Sequence, residues 1–469
     1  MRVRELLIVS LVSRAKPHIL SLLVVSVFSL FTESCHVNDP VQSPGVQLSA
    51  TDVICSEVSL KLNFVNSPTG GEYQIARDGV VVLSGLLTRA DTVVVDTTTR
   101  PGQNYSYKAM HVSGSKVIEN SDVISVRTLD TTSSSFNCQF YEIGNFPRTG
   151  VTGMLVGVQV INDHDAWAVG TVALEDSGGN DFNAMHWNGV RWEAVNILYA
   201  SQGYLEKTNI TWIYAIDSNN VWFGNSVRWS GSGFENMDQG TSVFYGIGTT
   251  HAWGDHGDRI FEVGNIGTIA YSPNRGSSWV KVEGGTTYNL FDVSSANGID
   301  VFATGCDPLN NTGVLLKGGT SGFQVIGEGI PQVDPLLLFH PYFQGMPRTV
   351  WVSNQNTAYF GWSKLYKYTG GQFSLVRTLA GNSVNSNSDA SYFNSIVCVR
   401  GIAENEMMIV GYSNTLRYFN GMNWVQLGTP YDGKSDIIWL ALDMTEHLSV
   451  AVGWRPTTGN AVIINLEHQ

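Results

Sequence analysis

A glycine that closes a short apolar strand returns seven times beyond residue 166, at Gly170, Gly224, Gly264, Gly305, Gly361, Gly411 and Gly453, 40 to 56 residues apart. The order around each glycine is the same. An apolar strand meets a turn of Asp, Asn or Ser, and a second strand runs to the glycine. An apolar–aromatic strand, a tight Gly turn and a closing aromatic segment follow. The copies are clearest at Val156–Val195, Ile213–Phe234 and Ile396–Leu427. A unit of four short strands cannot bury its faces alone, so such units stack, and at this period the stack is a propeller. The repeat predicts an all-β chain with a β-propeller over residues 138–469, most simply of seven blades. Six or eight stay open, because the copies around Gly305 and Gly453 are weak. All 13 tryptophans lie in this region, which sets it apart from what precedes it.

The ends of the repeat predict how the ring closes. The last copy stops after Ala461–Leu466 without an aromatic fourth strand, while Gln139–Ile143 precedes the first copy without a blade of its own. If the second segment supplies what the first lacks, the two ends interlock and no strand edge stays open.

Residues 45–129 carry a different pattern. Val58–Phe64 alternates apolar and polar, Gly70-Gly71 turns into Glu72–Ala76, and Asp78-Gly79 is a hairpin signal leading into Val80–Leu83. With Asp91–Val95, Tyr105–Val112 and Val123–Arg127 the spacing fits about seven strands in two antiparallel sheets. Within this region Arg100-Pro-Gly-Gln-Asn-Tyr105-Ser-Tyr107 resembles the tyrosine-corner segment of fibronectin type III domains. The resemblance implies an immunoglobulin-like sandwich in which the Tyr105 hydroxyl ties the loop back to the strand, and a spacer role. The family's core tryptophan is absent, and Leu60 or Leu62 fills its space.

In the third copy, Ser272-Pro-Asn-Arg-Gly-Ser-Ser-Trp279 resembles the Asp-box, S-x-D-x-G-x-T-W, of sialidase-like and photosystem-assembly-factor-like propellers. Asn274 replaces the Asp and Ser278 the Thr. In those families the box is a structural hairpin turn on the blade rim, so Ser272, Asn274, Gly276 and Trp279 are expected to hold a turn. Sialidase-like chemistry would need an arginine triad, a tyrosine nucleophile and an acidic partner. Arg191, Arg228, Arg259, Arg275, Arg348, Arg400 and Arg417 fall mostly in strand or turn positions. None is placed near the start of an innermost strand, so no catalytic residue is assigned.

The N-terminus predicts export. Arg2, Arg4, Arg14 and Lys16 precede the apolar run Ile19–Phe31, which has the length of a signal-peptide core and falls short of a spanning helix. Cys35 just beyond it resembles the acylated cysteine of a bacterial lipobox, with Glu33 and the distant Leu30 departing from the usual pattern. That resemblance implies a signal peptide over 1–34, a lipidated linker over 35–44 and a lipid anchor in the outer membrane or at the cell surface. A periplasmic or secreted protein is the alternative. The other cysteines, Cys55, Cys138, Cys306 and Cys398, form no C-x-x-C pair or Cys/His cluster and are expected as buried thiols. A net charge of −13 without a basic stripe argues against nucleic acid.

Neither Asn162-Asp-His-Asp165 nor Asp255-His-Gly-Asp258 follows a Ca²⁺-loop pattern, so both are read as turns. No metal or cofactor is assigned. The long connections are Asn196–Thr211, Ile326–Arg348 and Arg377–Asn394 after fourth strands, and Thr171–Asp181 and Arg455–Gly459 after second strands. In a propeller these emerge on one face. They carry Tyr199, Tyr204, Phe339, His340, Tyr342, Phe343 and Tyr392, aromatics suited to anchor a protein or a sugar face. The expected function is a non-catalytic envelope lipoprotein that binds a protein or glycan through this face, joined to the sandwich by a polar linker at 130–137. A periplasmic or outer-membrane assembly factor and a carbohydrate-active enzyme of sialidase-like fold remain as alternatives.

Overall fold

The computed structural model describes residues 45–469 except 66–69, 145–149, 175–180, 202–203, 208–209, 225–226, 238–247, 256, 308, 331–341, 363, 377–395 and 431–435. Cys35 and the apolar run before it lie outside the described residues. No helix occurs among the residues described.

Apart from one separate two-stranded hairpin, seven sheets of four or five strands follow one another beyond residue 153. Each begins on an inner strand: Met154–Asn162, Ile213–Asp217, Thr249–Gly254, Asn289–Ser295, Thr349–Asn354, Ile396–Ala403 and Ile438–Met444. Each inner strand lies against that of the next sheet, and the seventh lies against the first. This is a closed seven-bladed β-propeller, as the glycine period predicts. An apolar cluster fills each space between neighbouring blades, for example Trp167 with Phe223 between blades 1 and 2, and Met408 with Trp439 between blades 6 and 7. A second strand such as Glu406–Gly411 is therefore covered on both faces. Its run Met407–Val410 is wholly apolar and fully buried, where a half-exposed strand would alternate.

Blade 7 takes its outer strand from ahead of blade 1. Asn460–His468 pairs antiparallel with Phe136–Ile143, in register from Ala461 opposite Ile143 to His468 opposite Phe136. Phe140 packs into the cluster between blades 6 and 7, and Tyr141 and Ile143 into that between blades 7 and 1. The expected linker at 130–137 is corrected: Phe136 and Asn137 already belong to this strand, and Thr132 is bound to blade 6. The Thr132 amide donates to Asn420 O at 3.1 Å, while its hydroxyl donates to Asn405 O at 3.0 Å and meets Tyr418 Oη at 2.6 Å. Polar composition makes this tract look free, and those same hydroxyls satisfy it against the blade.

Ahead of residue 130 the chain forms two sheets. One runs Gly45–Val53, Val58–Val65, Asp91–Asp96; the other runs Val80–Leu86, Glu72–Arg77, Asn104–Ser113, Lys116–Asn120, with Ile124–Arg127 also paired to Asn104–Ser113. Leu60 and Leu62 are fully buried, and Tyr105 Oη accepts a hydrogen bond from Arg100 N at 2.9 Å. Two of these strands, Gly45–Val53 and Lys116–Asn120, are absent from the sequence reading. Both are edge strands in which buried and exposed side chains do not alternate, so neither carries a clear period of two. The chain divides into two compact units. Among the described residues, the smaller holds those of 45–49, Lys61–Val94 and Ser106–Ser125; the larger holds those of Ala50–Leu60, Val95–Tyr105 and Val126–Gln469.

Candidate functional site

Four of the repeat glycines have a shared steric origin. A Cβ on Gly170 would sit 2.2 Å from Met154 O, on Gly264 2.6 Å from Gly248 O, on Gly305 2.5 Å from Asn289 O and on Gly453 2.0 Å from Ile438 O. At each point the second strand crosses a carbonyl at or just ahead of the start of the inner strand too closely for a side chain. Opposite these glycines stand Leu155, Thr249, Leu290 and Trp439, and Ile396 stands opposite Gly411. The next residue of each inner strand, Val156, Thr250, Phe291, Leu440 or Val397, is bulged out of the ladder. A bulge re-aims a side chain. All five of these line a central channel of about 380 Å³, walled by the inner strands of all seven blades.

Three residues beyond each bulge, Gln159, Trp253, Ser294, Arg400 and Asp443 share one register and also line the channel. Several of them bind the blades to one another. Asp292, on blade 4, is the hub of one arc. Its Oδ2 accepts from Thr349 Oγ1 (2.9 Å), Val350 N (2.9 Å) and Arg400 Nη1 (3.0 Å), and its Oδ1 from Val293 N (2.9 Å) and Arg400 Nη2 (3.3 Å). His251 Nδ1 of blade 3 lies 3.1 Å from Asp292 Oδ1, within ion-pair range but outside hydrogen-bond geometry. His251 Nε2 lies 3.3 Å from Arg400 Nη2, and since a guanidinium only donates, Nε2 accepts.

Electrostatics follow from this geometry. Burial alone would raise the Asp292 carboxyl, but Arg400, His251 and the hydrogen bonds outweigh it and hold it below the usual range. Burial works against the Arg400 charge, and Asp292 more than restores it. Burial pushes His251 down; the Asp292 charge opposes this and Arg400 adds to it, so the imidazole is neutral at pH 7.

The other arc is less charged. Asp443 Oδ2 on blade 7 accepts from Gln159 Nε2 (2.6 Å) and Val160 N (2.7 Å) on blade 1, and Gln159 Oε1 accepts from Ala215 N (3.4 Å) on blade 2. Trp212 Nε1 donates to Thr249 Oγ1 at 2.8 Å, and Cys398 Sγ donates to Leu442 O at 3.6 Å. With Val399 N of blade 6 donating to Thr349 Oγ1 of blade 5 at 3.0 Å, every neighbouring pair of blades is bridged by at least one side-chain contact near the axis.

The structure corrects the expectation that no arginine reaches the channel. Arg400 sits in the middle of an inner strand, and Arg348 immediately precedes one. Arg348 is exposed, lies 4.9 Å from the Phe291 ring centroid and 5.5 Å from that of Trp362, and forms no ion pair among the described residues. The register that reveals Arg400 is the count from the glycine across the ladder and past the bulge, which the sequence does not display.

Up-and-down connectivity puts the starts of inner strands and the ends of second and fourth strands on one face. The bulged residues and Arg348 therefore surround the channel mouth on the long-connection face. The connection at 196–211 contains a hairpin, Leu198–Ser201 with Tyr204–Lys207. Lys207 pairs with Asp181 there. Tyr204 is 74% exposed, while Tyr199 is half-buried against the cluster between blades 1 and 2. Phe343 is a correction: at 1% exposure it packs on Phe360, Tyr366 and Phe373 and so belongs to the core. It is drawn in because Tyr342–Gln344 adds a fifth strand to blade 4, parallel to Gly322–Ile330. Phe339, His340 and Tyr392 lie outside the described residues.

The Asp-box-like segment is a turn between the third and fourth strands of blade 3. Asn274 Oδ1 accepts from Ser278 N (2.9 Å), Ser272 Oγ accepts from Gly276 N (2.8 Å), and Asn274 Nδ2 donates to Ser278 Oγ (2.9 Å). Gly276 has φ +79°, and a Cβ there would strike the Trp222 ring, which Trp279 also meets edge-on at 6.3 Å. The acidic segments likewise serve turns. Asn162 Oδ1 accepts from His164 N, and Asp255 Oδ1 from Gly257 N and Arg259 N; His256 lies outside the described residues. Among the described residues no group of His, Cys, Asp and Glu is placed to hold a metal ion. Of the four cysteines among the described residues, all free, Cys55, Cys306 and Cys398 are buried as expected, but Cys138 is exposed on the outer strand of blade 7.

No family model and no curated relative matches the chain. Among solved structures it is similar to one described as YCF48 bound to D1 peptide, at 10% identity and TM-score 0.49, covering 72% of this chain and 100% of that one. It is also similar to YCF48 from Cyanidioschyzon merolae, at 11% identity and TM-score 0.44, covering 70% and 98%. The WD40 β-propeller domain of Doa1 is similar at 11% identity and TM-score 0.44, covering 72% and 98%.

Proposed function

We propose that this chain is a non-catalytic, exported lipoprotein anchored through Cys35, whose propeller binds a protein or glycan on its long-connection face. In this reading residues 45–129 form a fibronectin type III-like sandwich and act as a spacer. The observation that carries the reading is the channel mouth. One inner-strand side chain from each of five blades is turned toward it by a bulge, and Arg348 stands exposed there between two aromatic rings. Tyr204 stands on the same face, on a hairpin that the blades do not require. Exposed aromatics and an arginine on rigid supports are what a binding surface needs. Deeper in the channel, His251 and Asp292 lie together as an acid–base pair would. The Asp292 oxygens are engaged by Arg400, Thr349 and backbone amides, and His251 Nε2 by Arg400. His251 Nδ1 carries the imidazole proton, so neither member of this pair is free as a base.

A glycan array and a pull-down from envelope extract, both with the protein after Cys35, test the reading. Binding should fall at least ten-fold in Tyr204→Ala and in Arg348→Glu. A ligand whose affinity is unchanged in both variants would place the binding surface elsewhere. The anchor is tested separately: Cys35→Ser should abolish labelling by a fatty-acid probe and release the protein from membranes.

A further inference from the structure

One group of buried reactive side chains has no part in the channel. Lys367, on the third strand of blade 5, is 8% exposed, and its Nζ contacts Asp52 Oδ2 and lies 2.9 Å from Glu404 Oε2. The Asp52 and Glu404 side chains are 7% and 9% exposed. Tyr359 completes the enclosure, with its ring centroid 5.4 Å from Lys367 Nζ and its hydroxyl donating to Glu404 Oε2 at 2.9 Å. Ser353 Oγ and Asn354 Nδ2 donate to Glu404 Oε1 at 2.8 and 2.9 Å. Asp52, Tyr359, Lys367 and Glu404 all belong to the larger compact unit.

We propose that Asp52 and Lys367 join in an intramolecular isopeptide bond, with Glu404 as the proton carrier. A primary amine, a carboxyl group and a second, firmly held carboxylate in one water-poor pocket are the parts such a reaction needs. The amine must first be neutral and the reacting carboxyl protonated, which is the neutral tautomer of the ion pair. Burial weakens the advantage of the charged form over that tautomer. Burial also works against the Lys367 charge, but Tyr359, Glu404 and Asp52 outweigh it and hold the amine well above its usual range, so the neutral tautomer is the minor form from which the reaction starts. Burial and the Glu404 charge raise the Asp52 carboxyl, against the pull of Lys367. Lys367 Nζ then attacks Asp52 Cγ and a C–N bond forms. Glu404 accepts the proton that Nζ loses and returns it to the departing hydroxyl. The C–O bond breaks and one water leaves. No oxidant, reductant or further reactant enters. Fixed contact supplies a high effective concentration, and loss of water from a closed pocket favours the amide over hydrolysis. The bond would join residues 315 positions apart and constrain the unfolded chain as a long-loop crosslink does.

Peptide mapping of the denatured, trypsin-digested protein decides the matter. The wild-type chain should yield a branched peptide that unites the segments around Asp52 and Lys367, its mass one water below the sum of the two, with no cleavage after Lys367. Asp52→Ala should lack it. Glu404→Gln should form it on the order of a hundred-fold more slowly during refolding. Recovery of the two wild-type segments only as separate linear peptides would overturn the bond. A Glu404→Gln chain that crosslinks at the wild-type rate would overturn the role of Glu404.

Discussion

At the seam between blades 7 and 1 the ring is closed by main chain, whereas around the channel it is closed by side chains. The seam is a continuous ladder between Phe136–Ile143 and Asn460–His468, backed on both faces by apolar clusters. The channel wall is a chain of single contacts, concentrated at Asp292 on one arc and at Asp443 on the other. A ladder of eight residue pairs tolerates loss of any one side chain, because the backbone still pairs. A hub such as Asp292 does not, because three blades converge on two oxygen atoms. Robust closure at the rim leaves the axis free to carry polar groups that a packed core would exclude.

The largest effect should come from removing the seam. A chain beginning at Gly150 should be insoluble, or melt far below one beginning at Ser134, since it bares a strand edge and the apolar faces above it. Equal melting temperatures would mean that the seam contributes nothing. Next come the two hubs. Asp292→Ala leaves the Arg400 charge buried without its partner and should cost about 3–5 kcal/mol in urea unfolding. Asp443→Ala strands only an amide and a glutamine and should cost about 1–3 kcal/mol. Reversal of that order would mean that the charged arc is not the stronger tie.

The smallest effect concerns Glu262, on the second strand of blade 3. Burial pushes its carboxyl from 4.5 up to about 8, with a hydrogen bond to Thr249 opposing. Across that window the folded chain holds a proton that the unfolded chain has lost, so stability falls as pH rises. Glu262→Gln should flatten this slope and raise the melting temperature at pH 8 by about 2 °C or more, while leaving it nearly unchanged at pH 4.5. An unaltered slope would show that Glu262 does not titrate in this range.

Much of the rim was legible in the sequence, and little of the axis. The glycine period identifies the blades because at Gly170, Gly264, Gly305, Gly361 and Gly453 a side chain would meet a nearby carbonyl. The leftover Gln139–Ile143 identifies the seam because an incomplete blade is visible as a missing strand. The turn at Ser272–Trp279 is legible for the same reason, since its hydrogen bonds lie within a few residues. The bulges are not legible. Val156, Thr250, Phe291, Val397 and Leu440 are of four residue types, and what unites them is a slip in register against another strand. The meeting of His251, Asp292 and Arg400 depends on three such slips, so pattern alone left Arg400 away from the channel. Phe343 reads as a loop aromatic because the strand that buries it pairs in parallel with a partner fixed only in the fold.

The central claim is that the segment ahead of the first blade is an integral strand of the last one, so that the channel is enclosed by a complete ring. Native-state hydrogen exchange at Phe136–Ile143 tests it most directly. The ladder amides of this segment should be protected as strongly as those of Ala461–Leu466 and should open with them, as one cooperative unit. Exchange of Phe136–Ile143 at the rate of a free polar linker, while Ala461–Leu466 stays protected, would contradict the account.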